Sequence, residues 1–464
     1  MYDIGIIGGG PAGYHAALEA ARCGMSAVLI EERKPGGVCL FDGCIPTKSL
    51  VTSTKAYYHL GKNPAIRTEQ ASFDWQAAKM KKEKDIKKLA AGLQMQLKQR
   101  NIPIIEAKGE ITEVTNDAVL IQAGEEQIQV QNVILATGSE NAIPPIEGLQ
   151  QLLANGDVYD STTLLASCSP FEKLLVIGAG VIGLELASIY ANTGTSVIII
   201  EREKDFLPAL DDSVKAEYVQ ALKRKGIQLL LSHEVTKVSK SNNLEIQVKN
   251  LLDGVEQSFD ADAVLVASGR KTILSGCSED RMKQLGIQTQ HGHIVTDENN
   301  MTNNPRIFAC GDVADKNMLA YTADMEGERA VRYIKARATG QQLETVTTVI
   351  PSVVFSNPEA AYVGKTEEMC KAEGIPYQIT RCTMNYSSLF AIENERENGA
   401  FSLIFHKENL KILGCHMIGN GASEVIGTIQ SYISEGKTIY EIAHMPIMHP
   451  SKLEVIKEAI NLIL

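Results

Sequence analysis

The stretch GGVCLFDGCIPTKSL, residues 36–50, sets Cys39 and Cys44 five positions apart. Two thiols at that spacing close a short ring, so they can cycle between dithiol and disulfide, with the thiolate as the reactive form. Two plainer readings fit the same residues: an inert pair of buried thiols, or half of a metal site. No second Cys/His cluster with ligand spacing occurs along the chain, so no metal is expected. The next segment reads as a helix beginning near Pro46, because proline suits a first helical turn. The pair then lies in one short loop, with Cys44 beside an electropositive helix start and Lys48 one turn inside it.

The rest of the chain shows no sign of being built on disulfides. Seven further cysteines (Cys23, Cys168, Cys277, Cys310, Cys370, Cys382, Cys415) are scattered singly and the total is odd. The N-terminus, MYDIGIIGGG, has no basic flank before an apolar core, which points to a reducing, cytoplasmic setting. At 464 residues about three domains are expected. No uncharged apolar run approaches the ~20 residues of a membrane helix. A formal charge of −11 disfavours general attraction to nucleic acid or an anionic membrane, leaving small molecules or proteins as partners.

An internal repeat must position the cysteines. YDIGIIGGGPAGYHAALEAARCGMSAVLIEE reads as strand, glycine turn (Gly8, Gly10, Gly13), helix, and a second strand ending at Glu31. LLVIGAGVIGLELASIYANTGTSVIIIER repeats the plan with Gly178, Gly180, Gly183 and Glu201, and in both copies the glutamate lies 23 positions after the first glycine. One copy alone reads equally well as a tight turn in an α/β sheet. Two copies with matching context imply two adenine dinucleotides: the first glycine makes the turn and the second lets the backbone approach a pyrophosphate. The third allows close packing, and the carboxylate takes ribose hydroxyls. Glu201 would repel a 2′-phosphate, so the second site is expected to take NAD, with Arg202 beside it pulling the other way. Two nicotinamides on one chain would have no obvious chemistry, whereas a flavin beside a nicotinamide makes a two-electron relay, so the first site is read as FAD.

Later segments complete the plan. NVILATGS (132–139) and AVLVASGR (263–270) read as buried strands returning to each sheet, and their turn glycines, Gly138 and Gly269, count among the cofactor-lining positions. NNPRIFACGDVAD (303–315) is a strand ending at a turn where Asp312 either meets a polar ligand group or caps a helix. Residues 76–100 read as a long surface helix whose six lysines between Lys79 and Lys88 form a solvated face. From about residue 346 strands alternate with helical pieces and no glycine fingerprint recurs, as in a separate α+β module. Near the C-terminus, MHPSKLEVIKEAI puts His449 before a helix with Glu454 in reach of its ring. By itself such a histidine reads as a surface or capping residue, although it could move a thiol proton near pH 7. His444 reads as packing or surface.

From end to end the chain resembles the flavin-dependent pyridine nucleotide-disulfide oxidoreductases, most of all those members that oxidise dihydrolipoamide with NAD. The stretches that carry the resemblance are GGGPAG, GGVCLFDGCIPTK, GAGVIGLELA, ACGDVAD and HPSKLE. It implies an α/β fold of two Rossmann-like dinucleotide-binding domains, for FAD and NAD, plus a C-terminal α+β dimerisation domain. The boundaries expected are 1–148 (FAD, with the redox disulfide), 149–271 (NAD), 272–345 (completing the FAD domain) and 346–464 (interface). It implies that Cys39 exchanges with the disulfide substrate and that Cys44 faces the flavin as a thiolate. Lys48 lies near flavin N5 and Glu185 where the nicotinamide docks. His449 is the acid/base and Glu454 the carboxylate that orients it, both delivered across a two-fold homodimer into the partner's site. The implied substrate is a small dithiol or disulfide, or a lipoyl-bearing protein. Phe41 stands where the family usually has Asn, Lys271 and Thr272 follow Arg270 where Pro is usual, and Tyr321 replaces a common His. These departures bear on the disulfide substrate rather than on fold or cofactors. A NADH-dependent reductase of another small disulfide is the alternative, and a flavin NADH oxidase or a non-catalytic flavin subunit the reading from another class. Without a metal-binding extension or a terminal vicinal cysteine pair in the sequence, a mercuric reductase is disfavoured.

Overall fold

The computed structural model describes residues 1–60, 62–63, 65–67, 71–274, 279–314, 317–342, 349–394 and 397–464. Cys277, Asp315 and the expected boundary at 345/346 lie outside the described residues. The chain divides into two compact units, one made of Met1–Ser49, Lys79–Ala142 and Gly269–Thr345, the other of Leu50–Ala78, Ile143–Ser268 and Val346–Leu464.

The first unit is organised by β1 (Tyr2–Ile7), whose Ile4, Ile6 and Ile7 are buried. Parallel β2 (Ala27–Glu31) and β3 (Ile104–Glu106) lie to one side of it, and β6 (Glu126–Leu135) to the other. Such near-continuous apolar runs are what a sheet covered on both faces requires. The antiparallel strands β4 (Gly109–Val114) and β5 (Val119–Ala123) extend it through β6, and Ile307–Ala309 adds a parallel strand on β6. Helix α1 (Pro11–Arg22) crosses from β1 to β2 and buries an alanine face, Ala12, Ala16, Ala17 and Ala20. Small residues there admit the Ala320–Thr339 helix so closely that a Cβ on Gly327 would sit 2.2 Å from the Ala12 carbonyl oxygen.

Helices α2 (Gly37–Phe41) and α3 (Cys44–Leu60) follow β2, and α4 (Trp75–Gln99) is the expected long helix. Most of its lysines are exposed, but Lys82 is buried. The solvated face is therefore incomplete at one position.

The second unit repeats the central motif. Its parallel sheet runs Ile227–Leu230, Ser196–Ile200, Lys173–Ile177, Ala263–Val266, Tyr159–Asp160, with the Val181–Ala191 helix as crossover. The residues beyond 349 form a five-stranded antiparallel sheet in the order Ser352–Val354, Ala360–Gly364, Ile412–Ile418, Ala400–His406, Tyr377–Cys382. It packs on the Ala422–Ser434 and Glu454–Asn461 helices around Phe401, Leu403, Val425 and Ile456. No helix among the described residues is long and apolar enough to cross a membrane.

Candidate active site

The two glycine turns are built alike. Gly8 (φ 103°) and Gly178 (φ 109°) hold left-handed backbone, and a Cβ on either would meet a carbonyl oxygen of the neighbouring strand end, Ala136 at 2.2 Å and Ala267 at 2.5 Å. Gly13 and Gly183 press on the same turns, where a Cβ would fall 1.8 Å from Gly8 O and 2.1 Å from Gly178 O. The middle glycines differ in kind. Nothing lies within 4 Å of a Cβ on Gly180, and Gly10 meets only the Gly37 Cα at 4.0 Å, so both face open room. Gly10 and Gly180 are also the N-caps of their helices, with no side chain bonded to the exposed amides. The carboxylates repeat too. Glu31 accepts from Gly9 N (2.5 Å) and Arg33 N (2.8 Å), and Glu201 accepts from Ala179 N (2.7 Å) and Glu203 N (2.9 Å). Each is thus fixed at the rim of its turn. Arg202, which would favour a 2′-phosphate, is 3.5 Å from Glu234.

The cysteines are placed differently from the loop read in the sequence. Cys39 lies in α2 and Cys44 is the first residue of α3, two positions before Pro46. The helix starts early because proline lacks only an N–H that the first turn does not use, so Pro46 sits comfortably at its third position. Left-handed Gly36 and Gly37 seat α2 against the first glycine turn: Gly36 N donates to Gly9 O (2.7 Å), and a Cβ on Gly37 would be 2.6 Å from the Gly10 Cα. Both cysteines are free thiols. The Cys39 thiol is pushed far up, first by its hydrogen bond with Cys44, then by burial and the negative charges of Cys44 and Asp324, with Lys48 opposing. The two sulfurs are hydrogen-bonded to each other, and Cys39 is held away from ionising.

Asp312 stands in the turn Gly311–Val313, and its carboxylate accepts from the Ser139 hydroxyl rather than capping a helix. Arg270 binds Ser139 through Nε to Oγ (2.7 Å) and Nη2 to the carbonyl (2.6 Å), and its Nε lies 3.8 Å from Asp312. Gly138 (φ 74°) and Gly269 (φ 118°) flank this knot with no atom near a Cβ position. Neither the Arg270–Ser139 clamp nor its partner Asp312 is spaced recognisably in the sequence.

In the second unit, Glu185 is 4% exposed and accepts from Phe355 N at 2.8 Å. His449 donates from Nδ1 to Glu454 Oε1, and Glu454 Oε2 accepts from Ser388 N at 3.0 Å. The ring itself is 73% exposed, leaving Nε2 on the outward side. Burial pushes the Glu454 carboxyl up, but the bonds from His449 and Ser388 outweigh it and hold it below its ordinary value. Sequence reasoning missed one group of residues: Tyr14 on α1 and Asp324 on the Ala320–Thr339 helix, which interact electrostatically with the cysteines, and His15 and Glu328, which are linked to Asp324 through the His15 ring. Their signal was present as polar residues interrupting α1's alanine run.

A sheet-borne pair of dinucleotide turns with a dithiol seated on the first defines a two-cofactor disulfide oxidoreductase. Residues 2–327 match the family model described as pyridine nucleotide-disulphide oxidoreductase, and residues 350–460 match the dimerisation domain of the same family. The chain belongs to that family. It is 31% identical over 464 residues to dihydrolipoyl dehydrogenase 3 of Pseudomonas putida, covering 99% of this chain and 97% of that one. It is 31% identical to leghemoglobin reductase of Glycine max, covering 98% and 86%. The structure of an HOCl-induced flavoprotein disulfide reductase from Escherichia coli matches with TM-score 0.86 at 25% identity, covering all of both chains. The cofactors of the present chain are FAD and NAD. The residues present fit them: open room at Gly10 and Gly180, helix amides without side-chain caps, and carboxylates already turned to the loop rims.

Proposed function

We propose that the chain oxidises dihydrolipoamide, free or carried on a protein, with NAD. The observation that carries this is the Cys39–Cys44 pair, hydrogen-bonded to each other and seated on the Gly8–Gly13 turn. In the oxidised form of the pair a substrate thiolate attacks Cys39, the Cys39–Cys44 disulfide breaks as the mixed disulfide forms, and Cys44 leaves as the thiolate toward the flavin. FAD supplies the two-electron relay between the dithiol and NAD. Gly8, Gly10, Gly13, Glu31, Gly138 and Asp312 would hold FAD, with Lys48 close to its reactive edge. Gly178, Gly180, Gly183, Glu201 and Gly269 would hold NAD, with Glu185 shaping the nicotinamide pocket. His449, with Nδ1 tied to Glu454, has Nε2 available to take a proton from the substrate thiol and return it. We place it in the site of a homodimer in which His449 of the partner subunit serves Cys39 and Cys44 of this one, as the dimerisation domain supports.

A second reading rests on Phe41, Thr272 and Tyr321 and on the likeness to the E. coli disulfide reductase: an NADH-dependent reductase of a different small disulfide. The deciding assay is NAD reduction by dihydrolipoamide compared with other dithiols, set against NADH oxidation by a panel of disulfides. A kcat/KM for dihydrolipoamide below that of another thiol or disulfide would favour the second reading.

A further inference from the structure

The α1 and Ala320–Thr339 helices share a ladder of charged side chains. Toward its far end Arg332 makes ordinary close pairs, 2.7 Å to Glu19 and 2.7 Å to Glu328. Nearer the dithiol the pattern changes. His15 touches Asp324 through Nε2 and Glu328 through Nδ1, both at 3.5 Å, so one imidazole is shared by two carboxylates. Asp324 Oδ1 is buried and has no hydrogen-bond partner among the described residues. The Tyr14 ring lies against His15 with centroids 4.6 Å apart. Burial raises Asp324 to about 6, with His15 opposing and Glu328 adding to the rise. Asp324 therefore keeps its proton to a higher pH than an ordinary carboxyl, beside an imidazole that it shares with Glu328.

The position of this cluster is fixed by close backbone packing. A Cβ on Gly311 would lie 3.3 Å from both Ala12 and Ala323, and Gly327 abuts Ala12, so the first turns of the later helix lie on the first turns of α1. Gly37 rests on Gly10 at the start of that helix, two residues before Cys39. The groups acting on Cys39 are Cys44 and Lys48 on α3 and Asp324 on the Ala320–Thr339 helix, while Tyr14 on α1 feels Asp324 and both thiols.

We propose that Asp324, which shares the His15 ring with Glu328, is a positioning residue that sets how readily Cys39 gives up its proton, from within the same chain as the dithiol. The inference deepens the function proposed above, because a charge beside the exchanging sulfur governs the pH range of thiol exchange. An ionised Asp324 makes a second negative charge at Cys39 unfavourable, so removing it must lower the pH at which Cys39 ionises. The test uses the reduced holoenzyme, alkylated with iodoacetamide across pH, with Cys39 modification followed by peptide mass spectrometry. Asp324→Asn is expected to move the Cys39 midpoint down by about half a pH unit or more. Glu328→Gln, which is not among the groups acting on Cys39, should not lower the midpoint, and Glu110→Gln, on a separate strand, should leave it unmoved. A midpoint within about 0.2 unit of wild type in Asp324→Asn, with flavin content unchanged, overturns the proposal. If Asp324→Asn does not fold, Asp324→Ala read against the same threshold overturns it instead. No substrate enters the measurement, so failure of dihydrolipoamide turnover leaves its outcome intact.

Discussion

The two dinucleotide turns match nearly atom for atom, yet the helices that leave them are unlike. Both first glycines are left-handed, both third glycines press on the first, and both glutamates take the same two kinds of amide. The Val181–Ala191 helix is buried without interruption from Gly183 to Ala191, and its few polar groups are spent on backbone: Glu185 on Phe355 N and Ser188 on Asn357 N, each at 2.8 Å. Helix α1 instead keeps one polar edge, His15 and Glu19, turned toward ionisable partners. The turn answers to the part of the ligand the two sites share. The helix beyond it answers to the different chemistry around each cofactor.

The comparison breaks most sharply at the thiols, which only the first copy has. Cys39→Ser and Cys44→Ser should each lower dithiol oxidation by about three orders of magnitude or more, as loss of a nucleophile in a concerted pair does. The long-wavelength thiolate-to-flavin absorbance should survive in Cys39→Ser and vanish in Cys44→Ser; finding it only in the latter would reverse the roles assigned. Next come the packing glycines. Gly13→Ala should yield protein without bound flavin, whereas Gly183→Ala should keep its flavin and lose about 100-fold in kcat/KM for NAD, near 2.7 kcal/mol of transition-state binding. If both variants lose flavin equally, the two turns do not serve separate ligands.

The carboxylates sharpen the same contrast at smaller scale. Wild type should favour NAD over NADP by about tenfold or more in kcat/KM, since a 2′-phosphate costs Glu201 a hydrogen bond and adds repulsion. Glu201→Ala should erase most of that preference, and equal use of both nucleotides by wild type would refute the assignment. Across subunits, mixing inactive Cys44→Ser with inactive His449→Ala should restore about half of wild-type activity per heterodimer, one site being intact. With base and dithiol on one chain, mixing would restore nothing. The smallest effect concerns Glu454. Its folded-state pKa is depressed, so its bonds stabilise above the ordinary carboxylate range and are lost as pH falls through the depressed value. Glu454→Gln should therefore lower the melting temperature at pH 7 by an amount worth a few tenths of a kcal/mol, and the difference should close in acid.

The features that could be read from the sequence were those that repeat or punctuate. Glycine spacing and the glutamates at 23 positions located both turns, because each glycine there has a steric task no other residue performs. The strands and helical pieces from about residue 346 were legible as a change of pattern without a glycine fingerprint, but not their antiparallel order. The start of α3 was misplaced by two residues because Pro46 marks a first turn without saying which position in it. Asp312 was legible from its turn, but its link to Arg270 and Ser139 and the His15–Asp324–Glu328 cluster were invisible for another reason: their members are 42 to 313 positions apart or spaced along one helix without a signature.

The seating of α2 on the first turn also dictates an order of manufacture. Every residue that docks Cys39, from Gly8 to Leu40, emerges within the first tenth of translation, and Cys44 follows at once. Asp324 is made 285 positions after Cys39. A growing chain therefore carries its thiol pair long before the carboxylate that restrains Cys39 exists, at a pace of roughly 5–20 residues per second. On the proposal made for Asp324, the thiol pair is thus built before the group that restrains it.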